Sequence, residues 1–142
     1  MLRELAAKAK TINVHGLALD NAKANSELIN ELIRQQLTVG ENSDGNKIGT
    51  YTTSRYAAFK KRIGSLAPLG VPDLKLSGDL FKGLKTVFKQ DMFTTESSVS
   101  YSKYQEQRYT DKVYRLQEQN AEEIEFKVLN ATIKEYVKAM GL

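Results

Sequence analysis

Leu84-Lys85-Thr86-Val87-Phe88-Lys89-Gln90-Asp91-Met92-Phe93-Thr94-Thr95-Glu96-Ser97-Ser98-Val99-Ser100-Tyr101 departs from the helical composition around it. It is rich in Thr, Val, Phe, Ser and Tyr, the residues that suit a pleated, half-buried surface. Leu84, Thr86 and Phe88 alternate with Lys85, Val87 and Lys89, and Val99 and Tyr101 alternate with serines. Gln90-Asp91 and Glu96-Ser97 are turn candidates. The pattern predicts an antiparallel β-meander of three short strands. Three strands with one apolar face need a covering layer. The class is therefore α+β: a small antiparallel β-meander covered by N-terminal and C-terminal amphipathic helices.

The covering helices are legible on both sides. Downstream, Ser102 to Tyr109 reads as a short polar helix. Asn120 is a cap for the last helix, with Glu122 and Glu123 in its first turn. Ala121, Ile124, Val128, Leu129, Ile133, Tyr136, Val137 and Met140 form its apolar stripe, and Gly141 ends it. That stripe is wide for a surface helix. It covers the sheet, or it also meets a neighbouring subunit.

Upstream, Leu2, Leu5, Ala6, Ala9 and Ile12 follow helical spacing, with a stop near Asn13 to Gly16 where Gly16 takes a positive φ. A second helix is predicted from Asp20 to Leu37, roughly 27 Å long, with Leu28, Ile29, Leu32 and Ile33 as its apolar stripe. Gly40 to Gly49 is a loop with a tight turn at Asp44-Gly45, followed by an extended piece from Lys47 to Tyr51. Thr52 or Thr53 caps a third helix through Ile63. Its expected buried face is Tyr56, Phe59 and Ile63, with Arg55, Lys61 and Arg62 opposite. Gly64 to Pro72 is a loop holding both prolines. Ser77 is the expected cap of a two-turn helix over Asp79 to Leu84, with Leu80, Phe81 and Leu84 on its apolar side.

The chain has 142 residues, enough for one domain over 1–142 with a real core. Residues 1–16 are read as a mobile N-terminal helix. There is no cysteine, which excludes disulfides, thiolate nucleophiles and cysteine-based zinc sites. The start lacks the apolar run of a signal peptide, and no segment has the roughly 20 apolar residues of a membrane helix. No membrane association and a cytosolic origin are expected.

Net charge is +4 and is unevenly spread. From Arg55 to Lys89 there are eight cations against Asp73 and Asp79, a balance of +6 that leaves −2 for the rest. This middle third faces an acidic partner or nucleic acid, or it is simply a solvated surface.

No chemical constellation emerges. His15, the one imidazole, has no acid at a diagnostic spacing and is read at a helix end. Asn42 to Asn46 fails as a calcium loop, because aligning Gly45 to position 6 puts Gly40 and Tyr51 at the anchoring positions 1 and 12. There is no dinucleotide fingerprint, phosphate loop or nucleophile elbow. Glu118, Glu122, Glu123 and Glu125 read as a solvated first turn. No enzyme activity, cofactor or metal is expected. Tyr101, Tyr104, Tyr109 and Tyr114 alternate with Lys103, Arg108, Lys112 and Arg115. Such interleaving suits single-strand nucleic-acid stacking, a protein interface or a rim around the core.

Leu74-Lys75-Leu76-Ser77-Gly78-Asp79-Leu80-Phe81-Lys82-Gly83-Leu84 resembles the L-x-x-T/S-G-x-L-x-x-S-I segment of tailed-phage virion-morphogenesis and tail-completion (head–tail joining) proteins. In that family a short helix leads into a meander that ends at Y-x-x-x-x-E, here Tyr101 to Glu106. Gly40 to Tyr51 resembles a loop common in phage-like proteins of Bacteroidetes. Tyr114 to Asn120 resembles their F-G-L-x-x-E-N lead into the last helix. Gln107-Arg108 and Arg115 replace glycines of the family pattern.

The resemblance implies a structural virion protein of the neck or tail, assembled in the bacterial host cytoplasm as a homo-oligomeric ring. Its partners would be other neck, portal or tail proteins, with non-specific contact to packaged DNA. Lys60, Lys61, Arg62, Lys82 and Lys85 are then the candidates for a DNA-facing lumen. Tyr101, Tyr104, Tyr109, Tyr114, Ile133, Tyr136, Val137 and Met140 are candidates for the subunit interface. The alternative is a free nucleic-acid-binding module using segments 55–89 and 101–115.

Overall fold

The computed structural model describes residues 1–75, 78–89 and 92–142. The Ser77 cap and the Gln90-Asp91 turn lie outside them. The elements are α1 (Leu2–Thr11), α2 (Val14–Ala24), α3 (Ser26–Thr38), α4 (Ser54–Arg62), α5 (Asp79–Lys82), β1 (Leu84–Lys89), β2 (Met92–Ser97), α6 (Ser102–Tyr109), a 3-10 turn at Asp111–Tyr114 and α7 (Glu118–Ala139). The fold is small α+β, with helices from both ends of the chain around one antiparallel hairpin.

The sheet has two strands where three were expected. β1 pairs with β2 from Leu84↔Ser97 to Lys89↔Met92. Glu96 and Ser97 therefore extend β2 and do not turn. Val99 to Tyr101 make no strand, because their carbonyls begin the next helix: Ser102 N–H donates to Val99 O (3.1 Å) and Tyr104 N–H to Tyr101 O (3.1 Å). The end of β2 is tied to α5 instead, through Ser97 Oγ to Leu80 O (2.9 Å) and Ser98 N–H to Gly83 O (2.9 Å). An isolated pair of strands is marginal in water. Here α3 lies on β1, and Thr86 Oγ1 bonds Asn30 Oδ1 at 3.0 Å.

The core is centred on α3. Ile29, Leu32, Ile33 and Leu37 meet Leu80, Phe81 and Leu84 from the α5–β1 corner, with Ile48, Val113, Tyr114 and Ile124. The spacing of Ile29, Leu32, Ile33 and Leu37 is that of one helix face, so the predicted stripe is the buried one. Buried Gln36 closes the far end. Its Nε2 donates to Arg115 O (2.9 Å), while its Oε1 accepts from Gln117 N–H (2.9 Å) and Asn120 Nδ2 (2.9 Å). This network holds the start of α7, which begins at Glu118 behind Gln117; Asn120 lies within its first turn.

Three helix boundaries differ from expectation, two of them through local side-chain bonds and one through a glycine. Asn13 Oδ1 accepts from Gly16 N–H at 2.9 Å, so a helix starts there; Gly16 and His15 belong to its first turn. The long second helix is broken at Asn25, where Asn25 Nδ2 donates to Asn21 O (2.8 Å) and Ser26 Oγ to Lys23 O (2.6 Å). α5 is a single turn ended by Gly83. Of the two expected caps, Thr53 is the one that caps α4, its Oγ1 accepting from Tyr56 N–H at 3.2 Å. The Asp44-Gly45 turn is present, with Gly45 at φ +76°. Asn42 Oδ1 caps it by accepting from the backbone of Asp44 and Asn46.

Candidate interaction surfaces

The four lysines and one arginine proposed for one basic face do not act as a set. Lys60 is 3% exposed, because α4 turns Ala57 and Lys60 inward. Its ammonium sits 2.7 Å from Asp73 Oδ1 and also donates to Lys75 O. Asp73 is held in turn by Ser65 Oγ (2.7 Å) and by Lys75 N–H (3.0 Å). A buried charge needs such compensation, and here the ion pair fastens α4 to the loop before α5. Tyr56, Phe59 and Ile63, the expected buried face, are exposed as a consequence. Lys85 pairs across the hairpin with Glu96 at 3.5 Å, both exposed. Lys61, Arg62 and Lys82 present their charge on the surface. Lys61 and Arg62 close the last turn of α4, where the helix dipole favours cations.

The tyrosines divide. Tyr114 is buried, its hydroxyl 3.5 Å from Ser102 O, and burial raises its pKa well above the ordinary phenol range. It is a core residue, not an interface residue. Tyr101, Tyr104 and Tyr109 stand on one wall of a cleft of about 690 Å³ whose other wall carries Tyr51 and Tyr56. Tyr51 and Tyr56 meet edge to face with centroids 4.9 Å apart. The Arg108 guanidinium lies 5.4 Å from the Tyr109 ring centre and donates to Tyr104 Oη at 3.2 Å. Burial and the nearby Asp73 charge push the Tyr51 pKa up to about 12. Burial likewise raises that of Tyr109. Gly49 makes this assembly possible: a Cβ there would lie 3.0 Å from the Tyr109 ring. Leu74, with a left-handed φ of +56°, also lines the cleft.

The third surface is on α7. Its stripe is wide because it serves two sides. Ile124, Val128 and Thr132 turn inward toward α2 and the hairpin. Buried Asn21 fixes the contact, its Nδ2 donating to Thr132 Oγ1 (3.2 Å) and Glu135 Oε2 (3.3 Å). Phe126, Leu129, Ile133 and Val137 point away, between 39% and 65% exposed. Their spacing of three, four and four residues draws one line along the helix. Of the remaining interface candidates, Tyr136 is half-buried at the edge of this line and Met140 is buried.

Sequence reasoning brought Tyr101, Tyr104 and Tyr109 together and missed Tyr51, Tyr56, Asp73 and Phe126. Gly49, whose missing side chain makes room for the Tyr109 ring, was the one local hint that this segment meets the tyrosines of α6. No sequence signal pairs Lys60 with Asp73, thirteen residues on across a loop. Among the described residues, no group of three or more His, Asp and Glu could hold a metal. None of the helices is long and apolar enough to cross a membrane. No protein-family model, curated protein or solved structure matches the chain.

Proposed function

We propose that this chain is a structural subunit of a tailed-phage neck or tail, acting in head–tail joining or tail completion as a ring of identical copies. One observation carries the reading: α7 leaves a straight line of four large apolar side chains in water while its inner face is already packed. Continuous apolar surface of this kind marks an interaction site. A second exposed apolar group, Phe59, Ile63, Leu66 and Leu69, lies on α4 and the loop after it. Two unlike surfaces on one subunit are what a head-to-tail ring requires. Binding then resides in subunit contacts and needs no catalytic centre.

The motif order described above supplies the link to virions, neck and portal partners, and assembly in the host cytoplasm. Within the ring, Lys61, Arg62 and Lys82 are the cations placed to meet packaged DNA. The tyrosine cleft supports a protein contact better than a nucleic-acid one. Its rim carries Lys75 and Arg108 against Asp79, and its Lys60 and Asp73 neutralise each other. That is a poor funnel for a phosphate backbone.

The test is the mass of the purified full chain by native mass spectrometry or sedimentation. A closed oligomer is expected. Leu129→Asp with Ile133→Asp should give a folded monomer with unchanged circular dichroism. A wild-type chain that stays monomeric, with a DNA affinity that falls steeply with salt, would favour the free nucleic-acid-binding module instead.

A further inference from the structure

The same structure that leaves α7 bare seats α1 only in part. α1 buries none of its residues. Leu5, Ala9 and the following Ile12 are half-buried, and Leu2 and Ala6 are exposed. Its contact with the rest of the chain is slight, with Lys8 lying near Gly141 at the end of α7. An amphipathic helix this short is not stable by propensity alone; it needs a surface for its apolar face.

We infer that α1 of one copy packs on the outer face of α7 of the next copy, so that the ring is linked by exchanged N-terminal helices. Three features of the chain match. In length, ten residues of α1 span about 15 Å and the line from Phe126 to Val137 spans about 16 Å. In polarity, Leu2, Leu5 and Ala9 repeat at three and four residues, as do Phe126, Leu129 and Ile133. In charge, α1 carries Arg3, Lys8 and Lys10 against Glu4, and the first two turns of α7 carry Glu118, Glu122, Glu123 and Glu125.

The charges choose the direction. With α1 antiparallel to α7, Ala9 meets Phe126, Leu5 meets Leu129 and Leu2 meets Ile133. Lys8 and Lys10 then approach Glu122 and Glu125. The two helix dipoles are also opposed, which is the favourable arrangement. A parallel arrangement would set Lys10 level with Lys134, with the neighbouring Glu135 already bonded by Asn21. Each copy gives α1 and receives on α7, so the contact can repeat from copy to copy around a ring, and two copies alone would satisfy it as a reciprocal swap.

The inference rests on the ring reading, and the experiment separates the two. The chain has no cysteine. Leu5→Cys in one chain and Leu129→Cys in a second, size-tagged chain therefore report a single contact. After mixing and mild oxidation, the expected product is the mixed disulfide at the summed mass. A double variant that closes within one chain at high dilution would overturn the exchange, placing α1 on its own α7. Predominant Leu129→Cys homodimers would overturn it too, as stripe meeting stripe.

A charge swap gives an independent readout. Lys8→Glu with Lys10→Glu should weaken assembly about tenfold, and Glu122→Lys with Glu125→Lys should restore it. No rescue would count against the antiparallel seat. A wild-type monomer sinks the ring reading itself. A ring that persists in Leu5→Asp sinks the exchange alone.

Discussion

α3 and α7 are both amphipathic by sequence, yet they use their apolar residues in opposite ways. α3 has thirteen residues and buries six: Ile29, Asn30, Leu32, Ile33, Gln36 and Leu37. α7 has 22 residues and buries two, Ile124 and Thr132. α3 is enclosed by the hairpin, the α5 corner and the 3-10 turn, so every apolar side chain on its stripe finds neighbours. α7 rests chiefly on α2 along one side. Burial therefore follows how many elements surround a helix, not how apolar the helix is. The proposed ring would make use of that surplus.

The sharpest break of this comparison is one residue type in the two places. Ile33 in α3 is fully buried and Ile133 in α7 is 51% exposed. Ile33→Ala should destabilise the subunit by about 4 kcal/mol, through lost burial and an unfilled cavity. Ile133→Ala should change the monomer's stability by less than about 0.5 kcal/mol while weakening assembly. Urea denaturation of both variants, beside native mass, tests the pair; equal losses would mean that α7 is part of the core.

Lys60 and Lys61 repeat the contrast with neighbouring charges. Lys60→Ala strands Asp73 in a buried site and should cost about 3 kcal/mol. Lys61→Ala removes an exposed contact to Ser65 O and should cost less than about 0.5 kcal/mol. Thermal melts would show the difference directly. If Lys60→Ala is as mild as Lys61→Ala, the loop before α5 does not depend on the ion pair.

A smaller effect is expected at Gly40, which follows α3. Its φ is +77°, and a Cβ there would lie 2.6 Å from Val71 Cγ1. Gly40→Ala should therefore cost about 2 kcal/mol. The smallest effect is in pH. Tyr51 has its folded pKa raised to about 12, above the ordinary value of 10.0. Its contribution to stability is complete below pH 10 and is lost as pH rises toward 12, because the unfolded chain releases the proton first. Tyrosinate absorbance of the folded chain should show late-ionising groups that Tyr51→Phe and Tyr114→Phe reduce. A single unshifted transition for all seven tyrosines would show that the cleft and core phenols are solvated.

The apolar stripe of α3, the Thr53 cap, the Asp44-Gly45 turn, the polar α6 and the helix stop at Gly64 were all legible from residues close in sequence. The errors have two causes. A third strand at Val99 to Tyr101, a buried Tyr56–Phe59–Ile63 face and an exposed Lys60 each look reasonable locally and are overridden by a bond to something distant: Gly83 to Ser98 and Asp73 to Lys60. The single helix through Asn25 fails for a local reason, since the Asn25 and Ser26 side chains bond back to Asn21 O and Lys23 O.

The sequence by itself determined the helical periods, the α+β class, the Asp44-Gly45 turn and the presence of more apolar surface on the last helix than a sheet of this size can use. It also determined the charge balance and the lack of cysteine. Only the tertiary structure decided which side of α4 is inside. It split the α7 stripe into a packed face and a free one. It moved Lys60 from the surface to a buried ion pair, and it set Tyr51 and Tyr56 opposite Tyr101, Tyr104 and Tyr109. The physical reason is range. Periodicity and capping are settled within one or two turns of chain, whereas burial depends on which distant elements arrive to exclude water.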